Sequence, residues 1–526
     1  MVNSGWRRLS TLLLVAFVPL ALRSQEHVAN VPAASASQSP SESTSALRVA
    51  TRLVVLDVVV TDKKGNPVLD LNKDDFVVEE DDDPQTIRTM ERPSAHKLPE
   101  GNLVHSSADL GKIGESPVNI LVLDELNTRF EDNAYSRYSL VKFLKAQPDV
   151  MPPTTLLVAN DKRFAVLHDY TQDRSLLIAA LKKSEVQYPW RMARNGNSGP
   201  DAMIRMTQSL QTLQEIAQAA AGTPGRKNIL WVGKGFPAID LTGLADEAVK
   251  PLSDAIKRCV DLLMNSRSTL YIIDPTALSS ATYDTESPQD LAELEDETGD
   301  EPFSNAIRFS VLAPATGGRV FSMRNDIDRE IDTSMHESAL YYTISYSPTN
   351  SSEEPGEYRH IRVKINREGL MATTRDGYYV QSSPGSADVT SDPYDMKQAM
   401  GEQVIDVANA ALSKMIYNGL KIRAGRVTPE RFSIAVADNS LAWKTAAEGE
   451  SQAAISTTII CFSSKDKVLS HVTDNRFLTS KAPGSAPGAQ EVYTVPIEIP
   501  AGTTRLRFVV RDAATGHLGT ADLINP

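Results

Sequence analysis

The sequence predicts an α/β protein, a doubly wound parallel sheet flanked by β-sandwich-like modules. Three observations predict it. From Val118 to Ile273 short apolar runs alternate with segments of helical spacing, the rhythm of parallel strands covered by helices on both faces. Before and after that region, stretches of β-branched residues are punctuated by Gly, Pro and Asn turns. Finally, 526 residues of which 41% are hydrophobic and 23% charged make an ordinary globular composition. At roughly 100 to 200 residues per core, that length holds about two to four cores.

The elements follow in order. Residues 1–24 carry Arg7 and Arg8, then the apolar run Leu9 to Leu22 broken by Ser10, Thr11 and Pro19, then Ser24-Gln25. This reads as a cleaved secretory signal peptide, because a membrane anchor needs about 20 apolar residues. Residues 25–47, rich in Ser, Ala and Pro, read as a linker. Residues 48–92 form an N-terminal β-rich module, with a strand over Leu53 to Val60, a turn at Gly65-Asn66-Pro67 and a second strand at Phe76-Val77-Val78. Residues 93–117 read as another linker.

Residues 118–346 are the predicted α/β domain. Strands are expected at Val118–Leu123, Thr155–Ala159, Asn228–Val232 and Thr269–Ile273, and helices at Tyr135–Ala146, Asp173–Lys183, Met203–Ala221 and Ala248–Asn265. Antiparallel strands at Ala339–Tyr346, which closes the span to 346, and at Tyr358–Ile365 and Gly377–Val380, within 347–382, are expected to pack with the N-terminal module. Residues 383–396 read as a linker, and 397–526 as a helix followed by a β-sandwich.

Charge and motifs exclude several functions. The formal net charge is −13, and loss of the leader with Arg7, Arg8 and Arg23 takes it to −16. An acidic chain does not suit nucleic acid, which needs clustered Lys and Arg. Export without stable membrane insertion is therefore expected, to the periplasm, cell surface or medium. The two cysteines, Cys259 and Cys461, fall in different predicted domains and are expected to be free and buried. No Gly-x-Ser-x-Gly elbow, His-Glu-x-x-His helix or phosphate-binding Gly loop is present, and the eight His are scattered. The chain is thus expected not to be an enzyme, the rival reading being an envelope hydrolase with an unfamiliar site. The acid run Glu79 to Asp83 and the acidic loop around Glu293 are weighed as calcium sites and set below solvated turns, for want of regular ligand spacing.

The chemistry centres on Asp124. Ligands of doubly wound sheets bind at the carboxyl ends of strands, and Asp124 ends the first one. The string Leu123-Asp124-Glu125-Leu126-Asn127-Thr128 resembles the first metal loop of von Willebrand factor A domains, Asp-x-Ser-x-Ser. The wider chain, with Leu56 to Asp62, Leu71 to Phe76, Gly225-Arg226-Lys227-Asn228, Ala315 to Gly318 and Arg375-Asp376-Gly377-Tyr378, resembles a von Willebrand A-related family of exported bacterial proteins abundant in acidobacteria. That resemblance covers about residues 48–382. It implies an exported protein of unestablished molecular activity with no assigned catalytic residues; the loop likeness implies a Mg²⁺ held by Asp124, Asn127 and Thr128, and the architecture, an α/β domain with its strand-end face exposed between β-sandwiches, leads to an expected protein-binding or adhesion role. The match is degenerate. Leu126 has no oxygen where the motif has its first Ser, and Lys234 stands where a later loop has an acid, although a cation beside a divalent ion repels it. Lys234 is instead expected to meet a carboxylate of an unknown protein partner. The alternative role of Asp124 is structural, its carboxylate accepting backbone N–H groups at the start of the next helix.

Overall fold

The computed structural model describes residues 53–525 apart from 161–162, 185–199, 241–245, 277–302, 304–305, 323–325, 350–356, 381–392, 446–449, 482 and 484–487. The leader, the first linker, most of the linker at 383–396 and the acidic loop around Glu293 lie outside the described residues.

The chain opens with four strands, β1 (Val54–Asp62), β2 (Phe76–Glu80), β3 (Asp83–Gln85) and β4 (Ile87–Glu91). A six-stranded sheet follows, built from β5 (Val118–Asp124), β6 (Val150–Asn160), β7 (Arg163–Asp173), β8 (Lys227–Val232), β10 (Ser268–Ile273) and β12 (Val320–Phe321). A separate two-residue ladder joins β9 (Ile239–Asp240) to β11 (Ala306–Ile307). The sheet order is β12-β10-β8-β5-β6-β7. Connections leave the central β5 first toward β6 and later toward β8, so the winding reverses at β5.

The sheet is mixed, which corrects the all-parallel expectation: β7 runs antiparallel to β6 on the edge. Only two residues separate β6 from β7, and so short a link can close an antiparallel hairpin but never a parallel crossover.

Helices cover both faces because successive strand residues point to opposite sides. Leu121, Leu123, Leu156, Val158, Leu230 and Val232 pack with α1 (Phe130–Ala146), α2 (Arg174–Lys183) and α6 (Ile327–Ala339). Ile120, Val122, Leu157, Ile229, Trp231 and Leu270 pack with α3 (Pro200–Ala220), α4 (Asp246–Asn265) and the short α5 (Leu312–Ala315). Burying one such aliphatic side chain stabilises by about 1.5–3 kcal/mol, so each stripe contributes far more than helix propensity does.

The strands β13 (Tyr342–Tyr346), β14 (Tyr358–Ile365), β15 (Leu370–Thr373) and β16 (Gly377–Tyr379) complete two antiparallel sheets, β15-β1-β13-β4 and β16-β14-β2-β3. Tyr342–Tyr346, placed by sequence at the end of the α/β region, pairs with β1 from Val54↔Tyr346 to Val58↔Tyr342. Its tyrosines fix this assignment: the Tyr342 hydroxyl donates to Val68 O (2.9 Å), and the Tyr346 hydroxyl donates to the buried Glu80 (2.6 Å). Glu79 and Glu80 of the acid run lie in β2, while Asp81 and Asp82 form the exposed turn into β3, where solvent and basic side chains of β14 share them. Lys364 bonds Glu79, Arg359 bonds Asp81 and Arg362 bonds Asp82. Residues 93–117 are not loose either, since His96, Val104, Leu110 and Ile113 are buried.

The last part comprises α7 (Pro393–Leu412), β17 (Ile422–Thr428), β18 (Arg431–Ala437), β19 (Lys444–Thr445), β20 (Ser451–Ser463), β21 (Val468–Ser480), β22 (Gln490–Pro496), β23 (Thr503–Asp512) and β24 (Leu518–Ile524). Their core includes Phe432, Ile434, Ile459, Leu506 and Phe508. Asp406 of α7 fastens this part to the α/β region, accepting from Gln218 of α3 (2.8 Å) and Arg258 of α4 (2.5 Å). Cys259 and Cys461 are free and buried. No helix among the described residues is long and apolar enough to cross a membrane.

Candidate functional site

Asp124 ends β5, the strand at which the winding reverses, and is fully buried. A carboxylate without water must be neutralised by donors or a cation, and here the donors are N–H groups. Oδ1 accepts from the backbone of Leu126 (3.0 Å) and Asn127 (2.9 Å). Oδ2 accepts from Trp231 Nε1 (3.1 Å) at the end of the neighbouring β8 and from the backbone of Gly235 (3.1 Å). Asn127 Nδ2 reaches both oxygens, at 3.3 and 3.1 Å, and also donates to Ser209 Oγ of α3 (3.0 Å). Burial pushes the Asp124 carboxyl above its ordinary range, while the bonds from Asn127, Trp231 and Gly235 pull it back down.

The loop after β8 must come close for this to work. Gly233 has φ of 154°, and a Cβ there would meet Asp124 Cβ at 2.3 Å and Thr128 Oγ1 at 2.7 Å, so glycine is the residue that fits. Lys234 follows, half-buried, on the same loop that brings Gly235 to the carboxylate. On the other side, Glu125 is buried and paired with Arg137 at 2.6 Å, which anchors the β5–α1 loop to α1. The rim beyond Thr128 is open: Phe130 is 50% exposed at the start of α1.

The expected ligands Asp124, Asn127 and Thr128 therefore lie together, with Lys234 on the adjoining loop. Their donor chemistry does not fit Mg²⁺. Both oxygens of Asp124 face N–H hydrogens, Leu126 brings none, and Asn127 turns its amide NH₂ to the carboxylate. Two buried oxygens, Asn127 Oδ1 and Thr128 Oγ1, have no hydrogen-bond partner. They are neutral acceptors, and the charge they would need beside them is already spoken for by the N–H groups. As in the structural role weighed for Asp124, its carboxylate accepts backbone N–H groups, but they belong to the β5–α1 and β8 loops rather than to α1, which starts at Phe130.

Sequence reasoning missed Trp231, Gly235 and Ser209. Trp231 carried a usable signal, since a buried indole requires a partner for its N–H and a strand-tip acid is the natural one. Nothing local marks Ser209.

No family model matches the chain, and no curated protein matches it. Among solved structures, the VWA domain of SpRpn10 aligns at 15% identity over 33% of this chain and 95% of that one, with a TM-score of 0.17. The chicken interferon gamma receptor alpha chain aligns at 10% identity over 37% of this chain and 77% of that one, with a TM-score of 0.16. A calcium-binding mutant of Bacteroides uniformis β-glucuronidase 2 aligns at 17% identity and a TM-score of 0.12, over 20% of this chain. The chain spans 13% of that glucuronidase's length. Likenesses this slight assign no activity.

Proposed function

We propose that the chain is an exported binding protein of the von Willebrand A type, docking a protein partner on the strand-tip face around Asp124 without a metal. The observation that carries the reading is the location of Asp124: a motif acid at the carboxyl end of β5, where ligands of such sheets bind. The strand order, with one antiparallel edge strand, and the sequence resemblance support it. Export rests on the apolar leader.

The docking face combines the exposed ring of Phe130 with the ammonium of Lys234. An aromatic anchor and a cation on loops at the same end of the sheet suit a partner that presents both a carboxylate and apolar surface. The N–H cage takes no direct part; it holds the β5–α1 and β8 loops in one geometry, which lowers the ordering cost of binding.

Affinity capture from envelope extracts with the mature chain tests this, using the wild type, Lys234→Ala and Phe130→Ala, each with and without EDTA. A partner retained in EDTA and lost by at least tenfold with either variant is the expected result. Retention by both variants, or loss with EDTA alone, overturns it.

A further inference from the structure

We propose that Glu91, His96 and Glu115 form a site for one divalent ion of the zinc class, at the seam between the N-terminal β-sheets and the α/β region. One ligand atom from each of these three residues lies within 4.8 Å of the others. They come from three separate segments: Glu91 ends β4, His96 ends a short 3₁₀ turn, and Glu115 precedes β5. This site is remote in chemistry from Asp124 and does not depend on the function proposed above.

The imidazole is prepared as a ligand. His96 is 1% exposed, and its ring stacks on Tyr341 with centroids 4.3 Å apart and planes 6° from parallel, which fixes its orientation. Thr343 Oγ1 donates to Asp57 Oδ1 (3.2 Å), so toward His96 Nε2, also at 3.2 Å, it is an acceptor. The proton is thereby placed on Nε2. Nδ1 is left as a bare lone pair, buried and without a partner. Histidines that bind metals have this arrangement, one nitrogen donating to a fixed acceptor and the other free for the ion.

The carboxylates supply charge. The side chain of Glu91 makes no hydrogen bond or ion pair with another described residue, and both Glu91 and Glu115 are exposed, so an ion can enter from solvent. Arg267 bonds Glu115 Oε2 (2.7 Å) and Asp57 Oδ1 (2.6 Å), leaving Oε1 of Glu115. Asp57 is answered by Arg267 and Arg226, which leaves the Glu91 carboxylate as the charge on this group without a cation bonded to it. One imidazole nitrogen with two carboxylate oxygens is a donor set suited to zinc, with a position left for water or a further ligand. Such an ion ties β4 to the segment that leads into β5.

The test uses the full chain, stripped with chelator and then dialysed to equilibrium against Zn²⁺, with bound metal counted by element analysis. Co²⁺ in place of Zn²⁺ adds a visible absorption readout of coordination. One equivalent is expected for the wild type. Affinity should fall at least tenfold, and the cobalt bands should disappear, in Glu91→Gln/Glu115→Gln, whose exposed positions leave the fold and the far-ultraviolet circular dichroism unchanged. His336→Asn, on the exposed face of α6, should bind like the wild type. Absence of stoichiometric binding by the wild type, or undiminished binding by the double variant, overturns the proposal. Neither outcome touches partner capture at the Asp124 face.

Discussion

Asp124→Asn tests the N–H cage most directly. The substitution keeps size and shape but replaces one carboxylate oxygen by NH₂. Whichever way the new amide turns, a donor then faces donors: toward Oδ2 it meets Trp231 Nε1 and Gly235 N, and toward Oδ1 it meets the amides of Leu126 and Asn127. At least two buried N–H groups lose their acceptor. Each costs about 1–3 kcal/mol, and bonds to a charged acceptor lie at the upper end. A loss of roughly 3–5 kcal/mol follows, partly offset because the carboxylate no longer has to be held charged in a buried site. For an α/β unit of this size that is on the order of 6–20 °C in Tm. Trp231→Phe removes a single donor and some packing, and should cost about half as much. The assay is thermal unfolding followed by near-ultraviolet circular dichroism, each protein with and without EDTA and with added Mg²⁺. Added Mg²⁺ should leave the wild-type Tm unchanged, with or without EDTA. A change under about 1 kcal/mol for Asp124→Asn, or a wild-type Tm that drops in EDTA and recovers with Mg²⁺, would refute the reasoning.

Two further perturbations probe other joints of the molecule. Gly222 lies at the end of α3, where a Cβ would meet the backbone oxygen of Asn418 at 1.6 Å. Gly222→Ala should therefore push the C-terminal part off α3, lowering Tm by an overpacking cost of about 1–3 kcal/mol and speeding its release in limited proteolysis; unchanged proteolysis would contradict the contact. Lys227 is buried with its amine donating to Thr223 O (2.7 Å) and Gly225 O (2.9 Å), and burial pushes its pKa down to about 7. The unfolded chain then holds more protons than the folded one between pH 7 and about 10, so stability rises with pH across that window, by roughly 2 kcal/mol from pH 7 to 9. Urea unfolding at those two pH values should show the gain in the wild type and not in Lys227→Met, and equal slopes would count against it.

How much of this was legible in the sequence depends on how far away each partner lies. The strands β5, β8 and β10 each carry an unbroken apolar run, Ile120–Leu123, Ile229–Val232 and Leu270–Ile273, because both faces of each are covered, and that pattern needs no partner to be recognised. β7 reads Arg-Phe-Ala-Val-Leu-His-Asp-Tyr, a mixture without clean alternation, and only its short link to β6 reveals it. β13 has a strand's composition and reads as part of the β-module, but its partners β1 and β4 precede it by more than 250 residues, so its neighbours and register in that sheet could not be read from its own residues. His96 was counted among scattered histidines for the same reason: Glu115 and Thr343 reach it through the fold, not through spacing.

The same distinction explains the degenerate motif. Asp124 is visible locally, as an acid at a strand end, whereas Trp231 and Gly235 lie 107 and 111 residues further on. Once those N–H groups surround the carboxylate, oxygen ligands around it become a liability, since a bare oxygen left in a dry site without a cation costs about as much as a lost hydrogen bond. Leu126 then has reason to be apolar, because its side chain fills buried space while its backbone does the bonding. A lysine at 234 is equally tolerable where N–H groups, rather than a divalent ion, neutralise the carboxylate. The two departures from the metal motif and the N–H cage are thus one physical arrangement, and a variant that restored Ser at 126 without removing Trp231 should gain no affinity for Mg²⁺ by calorimetry.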